Sequence, residues 1–208
     1  MKRCEFLRKI MTAALLFVFS ASACLAQTAQ SQAKGPDVLI VYSSGNKPVG
    51  GGQPDAVTTP TPGNENMKTV TDKLAASLSS KKITVRVALA HEIKNPDEIF
   101  ASRILVIGSP SYFWNVSWQI KKFFDERFSE MSSRKERLGK HLVAAYTQAG
   151  GKDGADLTIT AVREAVNRWN GTFGPTMSLL AGNKSDEVNQ SVEKFAGEIA
   201  ALLKKSEP

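Results

Sequence analysis

Three aromatic side chains in immediate succession, Tyr112, Phe113 and Trp114, are the residues of this 208-residue chain best suited to chemistry. Only Gly108, Ser109, Pro110 and Ser111 separate them from the β-branched run Ile104 to Ile107, so they sit in a turn too short to hide three large rings in a core of its own. Open α/β sheets bind ligands at the carboxyl ends of their strands, and planar side chains there suit a flat aromatic ligand. Thiol and metal chemistry have little to work with. Cys4 and Cys24 both lie in an N-terminal stretch expected to be removed, which leaves a chain without disulfides, thiolate metal sites, cysteine nucleophiles or iron-sulfur clusters. His91 and His141 are the only imidazoles, too few for a zinc site, and both read as structural or surface residues.

The elements that must position the aromatic trio alternate along the chain. Asp37 to Tyr42, Ile83 to Leu89, Ile104 to Ile107, His141 to Thr147 and Thr172 to Leu180 read as strands, with Gly108 and Pro110 ending the third. The second strand alternates as an edge strand does, and Pro175 confines the fifth to an edge. Helical spacing marks Met67, Val70, Leu74 and Leu78 after a start near Asn64 to Asn66, and a short helix over Pro96 to Phe100. After the aromatic trio, Val116, Ile120, Phe123 and Phe124 share one face of a helix that Asn115 or Ser117 can cap. Asp153 to Trp169, closed by Asn170-Gly171, gives another, and Val188, Val192, Phe195, Ile199 and Leu202, capped by Asn183 or Ser185, the last. Such alternation predicts an α/β fold, a doubly wound five-stranded parallel sheet over about residues 37–205.

The run from Gly108 to Arg127 resembles the second flavin-contacting loop of flavodoxin-like FMN proteins and of NAD(P)H-dependent FMN or quinone reductases. The counterparts are Gly108, Ser109, Pro110, Ser111, Tyr112, Phe113 and Asn115, with Phe124, Asp125 and Arg127 closing the helix one residue wider than the family's usual Asp-Arg pair. Two further loops carry the same resemblance. Ser43, Ser44, Gly45 and Asn46 match in part the loop that cradles the FMN phosphate, with Lys47 in place of its final Thr; Thr147, Gly150 and Gly151 match a turn that approaches the flavin ring. The resemblance implies FMN as cofactor, strand order 2-1-3-4-5, and Trp114 beside the ring with Tyr112 and Phe113. It also implies electron transfer or reduction of a small acceptor, with a redox partner or a quinone-like molecule, and it leaves a homodimer open.

Residues 47–66 depart from the family. Four prolines and four glycines exclude a helix or central strand there. Two readings stand: a lid above an intact phosphate loop, or a site that no longer holds phosphate well. In the second case the chain is a flavin-free binding or scaffold module.

The N-terminus reads as a secretory signal over residues 1–26, with Lys2, Arg3, Arg8 and Lys9 ahead of an apolar stretch and a cut after Ala26, followed by a flexible leader over 27–36. A rival cut before Cys24 would give a lipid-anchored form. Either places the protein outside the cytoplasm, periplasmic or secreted. Without the signal's four basic residues and Glu5, the net charge of +7 falls to about +4. The remaining lysine pairs are scattered rather than gathered, so nucleic acid is not an expected partner. No later stretch has the length of a membrane span.

Overall fold

Strands β1 (Val38–Tyr42), β2 (Val85–Leu89), β3 (Ile104–Tyr112), β5 (Leu142–Ala149) and β6 (Thr172–Leu180) pair in the order β2-β1-β3-β5-β6, every pair parallel. A two-residue strand, β4 (Asn115–Val116), pairs antiparallel with the end of β3 and lies off that path. With β4 set aside, this is the expected order 2-1-3-4-5. The computed structural model describes residues 35–43, 66–133 and 141–205.

The strands are apolar on both faces because both faces are covered. Alternate residues divide β1, β3 and β5 between two cores. Leu39, Val41, Leu105, Ile107, Val143 and Ala145 face helices α2 (Pro96–Phe100), α3 (Trp118–Ser132) and α4 (Lys152–Arg168). On the other face Val38, Ile40, Ile104, Val106, Ala144 and Tyr146 meet α1 (Met67–Ser80) and α5 (Ser185–Lys205). The four apolar residues expected on α1 are all buried, each burial worth about 1.5–3 kcal/mol.

Helix ends follow local chemistry. The Asn66 side chain accepts from the Thr69 amide and starts α1; Asn95 and Glu98 form a reciprocal capping box at α2. Ser117, not Asn115, caps α3, so Val116 packs from β4 rather than from the helix. Neither candidate acts as expected at α5: the Asn183 side chain turns back to accept from the Leu180 amide, and Ser185 is already helical. Leu203 rather than Leu202 completes the buried face of α5. At the edge strand β6, residues 174 and 175 bulge opposite β5 between Val143 and Ala145, which accommodates the missing N–H of Pro175.

His141, at the amino end of β5, is buried edge-on to Phe100, with Nε2 3.4 Å from the Ser102 hydroxyl. Burial lowers its pKa to about 4, so the ring is neutral at pH 7. It is structural, as expected. Among the described residues no cluster of side chains could hold a metal ion, and no helix is long and apolar enough to cross a membrane.

Candidate functional site

The third strand does not stop at Ile107; it runs nine residues, through Gly108 and Pro110 to Tyr112. Two neighbours make this tolerable. The Gly108 carbonyl accepts from the Ser43 amide on the β1 side, so Pro110, two residues on, turns its nitrogen to the same side. The β1 ladder ends at Tyr42↔Gly108, and no ladder bond there requires the N–H that proline lacks, while β5 pairs on as far as Gln148. Gly108 is demanded by packing: a Cβ there would lie 2.3 Å from the buried Tyr146 ring.

Beyond Tyr112 the chain reverses in two residues. Tyr112 pairs with Asn115 and Ser111 with Val116, and the connecting Phe113 and Trp114 both adopt left-handed backbone, with φ of 48° and 61°. A two-residue hairpin loop with both residues in this region favours Asn and Gly; an L side chain costs about 1–2 kcal/mol at each such position. Burial returns little of this at the two strained positions. Phe113 is 95% exposed, Trp114 65% and Tyr112 46%, so they do not plug the end of the sheet. Side-chain bonds hold the hairpin rigid: the Ser111 hydroxyl donates to the Gly154 carbonyl at 3.0 Å, and the Thr158 hydroxyl to the Asn115 carbonyl at 3.2 Å. Backbone strain of this kind clusters at active sites and ligand clamps.

The facing wall carries three glycines among its five residues. Gly150, Gly151, Lys152, Asp153 and Gly154 form, with Ser111, Phe113 and Trp114, an open cleft of about 550 Å³. Gly151 stands at the N-cap of α4 without a side chain to cap it, so the first-turn amides keep donors free for acceptors in the cleft. A side chain at Gly150 or Gly151 would meet nothing within 4 Å, whereas a Cβ at Gly154 would lie 3.1 Å from the Ser111 oxygen and 3.6 Å from the Trp114 ring.

The fold coincides with those of solved proteins. An archaeal flavodoxin superposes with TM-score 0.56 at 16% identity, over 80% of this chain and 98% of that one. A flavodoxin, WrbA-like protein from Agrobacterium tumefaciens superposes with TM-score 0.58 at 15% identity, over 83% of this chain and 100% of that one. The chain has a flavodoxin-like fold. No family model matches it. In sequence, a flavodoxin from Clostridium saccharobutylicum is 40% identical over 55 residues, 26% of this chain. That match spans 33% of the flavodoxin's own length.

Within this flavodoxin-like frame the three sequence-matched loops are not equivalent. Phe113, Trp114, Gly150 and Gly151 come together around the cleft, joined by Ser111, whereas Tyr112, the next residue along the strand, does not line it; Asn115 closes the hairpin behind it, its side chain accepting from the Val116 amide at 2.8 Å. Ser43, Ser109 and Thr147 do not reach it. All three are buried, on the strand face that packs against α3 and α4. The Ser43 and Ser117 hydroxyls share a bond of 2.6 Å, the Ser109 hydroxyl donates to the Pro110 carbonyl and accepts from the Ser117 amide, and the Thr147 hydroxyl has no partner among the described residues. Thr147 also lies inside β5, which extends to Ala149 rather than ending at 147, so its backbone is already paired with β3 and β6. Pro110 is buried in β3. Ser44, Gly45 and Asn46, and the insertion through residue 65, lie outside the described residues.

Lys152, Asp153 and Gly154 were not singled out by sequence, although their place directly after Gly150-Gly151 at a strand-to-helix junction was the available signal. The Tyr146 phenol bonds the Thr71 hydroxyl across the opposite core, and its complete burial pushes its pKa up, so it remains a protonated strut between β5 and α1. A second depression, at the ends of β1 and β2, is lined in part by the exposed His91.

Proposed function

We propose that the cleft between the Tyr112-Phe113-Trp114 hairpin and the amino end of α4 binds FMN, and that the protein transfers electrons as a flavoprotein. The observation that carries this reading is the hairpin itself, which places aromatic rings in solvent on a backbone that costs stability to hold. The residues present fit an isoalloxazine: rings for its faces, and uncapped first-turn amides of α4 for its carbonyl oxygens. Gly150 and Gly151 let backbone approach its edge, where side chains would stand in the way. When bound, FMN supplies reversible one- and two-electron chemistry; the chain's task is to hold the ring and exclude water from it. The similarity to a flavodoxin over 55 residues supports the same reading.

The phosphate end rests on fewer contacts. The Ser43 hydroxyl is committed to Ser117, which leaves Ser44, Gly45 and Asn46 as the proposed phosphate loop. We further propose export through the N-terminal signal. An exported chain works where NAD(P)H is absent, so a redox protein or a quinol-quinone couple is its natural partner.

Titration of the chain with FMN and with riboflavin, followed by flavin fluorescence, tests the assignment. FMN is expected to bind more tightly, because the phosphate loop favours a dianion over a neutral ribityl end. Equal affinity removes the phosphate loop, and a colourless chain that rejects both flavins removes the function.

A further inference from the structure

The depression at the ends of β1 and β2 is a cavity of about 470 Å³ and shares no lining residue with the aromatic cleft. Leu89, Ala90 and Ile93, on the segment that leaves β2, give it one apolar wall; Trp118 and Phe123, on α3, give the other. Three features there lack an assigned purpose. The Gln119 side-chain oxygen is shielded from solvent and has no hydrogen-bond partner among the described residues, a cost that a donor reaching it would remove. Three cations line the cavity, Lys94, Lys122 and Arg127, against the single carboxylate of Glu126. That carboxylate lies 3.5 Å from the Lys122 ammonium, Arg127 is paired outward with Glu130 at 2.8 Å, and Lys94 has no ion pair among the described residues. The Trp118 ring, close to half-exposed, carries the Lys122 ammonium 6.0 Å from its centroid and offers a face to a planar ligand.

We propose that this cavity is a second ligand site, separate from the flavin cleft, for a small hydroxylated aromatic carboxylate. Each part of such a ligand answers one feature. Its ring lies on the apolar walls beside Trp118, its carboxylate meets Lys94, which has no ion pair among the described residues, and Lys122, which Glu126 holds at 3.5 Å, and its hydroxyl donates to the Gln119 oxygen once that side chain turns from its shielded position into the cavity. A neutral quinol satisfies Gln119 but leaves the excess positive charge unmatched; a simple benzoate does the reverse. A cavity of this size lies within the range of small-ligand sites, about 300–1,000 Å³.

Calorimetric titration of the full chain with 4-hydroxybenzoate, benzoate and 4-hydroxybenzyl alcohol tests the proposal. Saturable 1:1 binding of 4-hydroxybenzoate is expected, with each control weaker by about tenfold or more, since one loses the donor and the other the charge. The surface double variant Lys94→Gln/Lys122→Gln should weaken 4-hydroxybenzoate by about tenfold, leave the alcohol unchanged, and keep the affinity for FMN. Gln119→Leu should bring 4-hydroxybenzoate down to the level of benzoate. Equal affinity for the three probes overturns the proposal, as do absence of binding and a double variant that loses all three alike.

Discussion

The large aromatic side chains of this protein are handled in two opposite ways. Trp169 is buried at the end of α4, with Phe124 and Phe123 packed at ring-centroid distances of 5.0 and 5.9 Å, and Tyr146 and Phe195 sit as deeply in the opposite core. Phe113 and Trp114 stand largely in solvent on left-handed backbone, with the half-exposed Tyr112 beside them. Burial of an aromatic ring is among the strongest single contributions to a core, and a strained exposed ring contributes the reverse. Residue type is therefore no guide to role here; backbone conformation and exposure are. The core aromatics serve stability, and the hairpin aromatics, on the function proposed above, serve a ligand at some expense of stability.

The widest separation between the two groups should appear on truncation. Trp169→Ala is expected to cost about 3–5 kcal/mol of unfolding free energy in urea denaturation. Trp114→Ala should change apo-protein stability by less than about 1 kcal/mol, as exposed positions do, while weakening FMN and altering its spectrum. If Trp114→Ala costs as much as Trp169→Ala, the hairpin belongs to the core and the comparison collapses.

Acid sharpens the same contrast along β5, with His141 at its amino end and the cleft at its carboxyl end. The folded-state pKa of His141, about 4, lies below the ordinary 6.5, so the unfolded chain binds the extra proton first. Stability from this group is fully present above pH 6.5 and falls as pH drops toward 4, by an amount on the order of 3 kcal/mol. Denaturation midpoints at pH 7.5, 5.5 and 4.5 should show this loss, and His141→Gln should flatten it. Between pH 7.5 and 5.5, FMN affinity of the folded protein should not follow this titration.

A smaller effect is expected at Gly108, where the strand leading to the hairpin passes over the core. Gly108→Ala places a methyl group into the Tyr146 ring, and overpacking of this kind costs about 1–3 kcal/mol. Thermal unfolding of Gly108→Ala alone and combined with Tyr146→Leu checks the cause: the smaller partner should restore part of the loss.

Much of the fold could be read from the chain because its signals are local. Apolar runs, the Asn66 cap, the capping box at Asn95 and the Asn170-Gly171 stop each act within a few residues. What escaped depends on partners distant in sequence. The length of β3 is set by where β1 stops beside it and where β5 continues, which made Pro110 tolerable within a strand. The inward turn of Ser43 was recoverable, since it continues the alternation of Leu39 and Val41 toward α3; its bond to Ser117, 74 residues away, was not. The cleft's two sequence-matched walls were legible, but not the left-handed tip between them. The cavity at the ends of β1 and β2 draws on three separate segments with no shared spacing, so no motif announces it.

The most direct test of the account is the double replacement Phe113→Asn/Trp114→Gly, measured for both unfolding free energy and FMN affinity. Asn-Gly is the pair that such a two-residue turn prefers, so relief of the backbone strain should stabilise the apo-protein by about 1–2 kcal/mol. Affinity for FMN should fall by about tenfold or more with the loss of the aromatic faces. A more stable protein that has lost its flavin is the predicted result; a variant that is destabilised, or that binds FMN as the parent chain does, contradicts the assignment of the hairpin as the flavin-holding element.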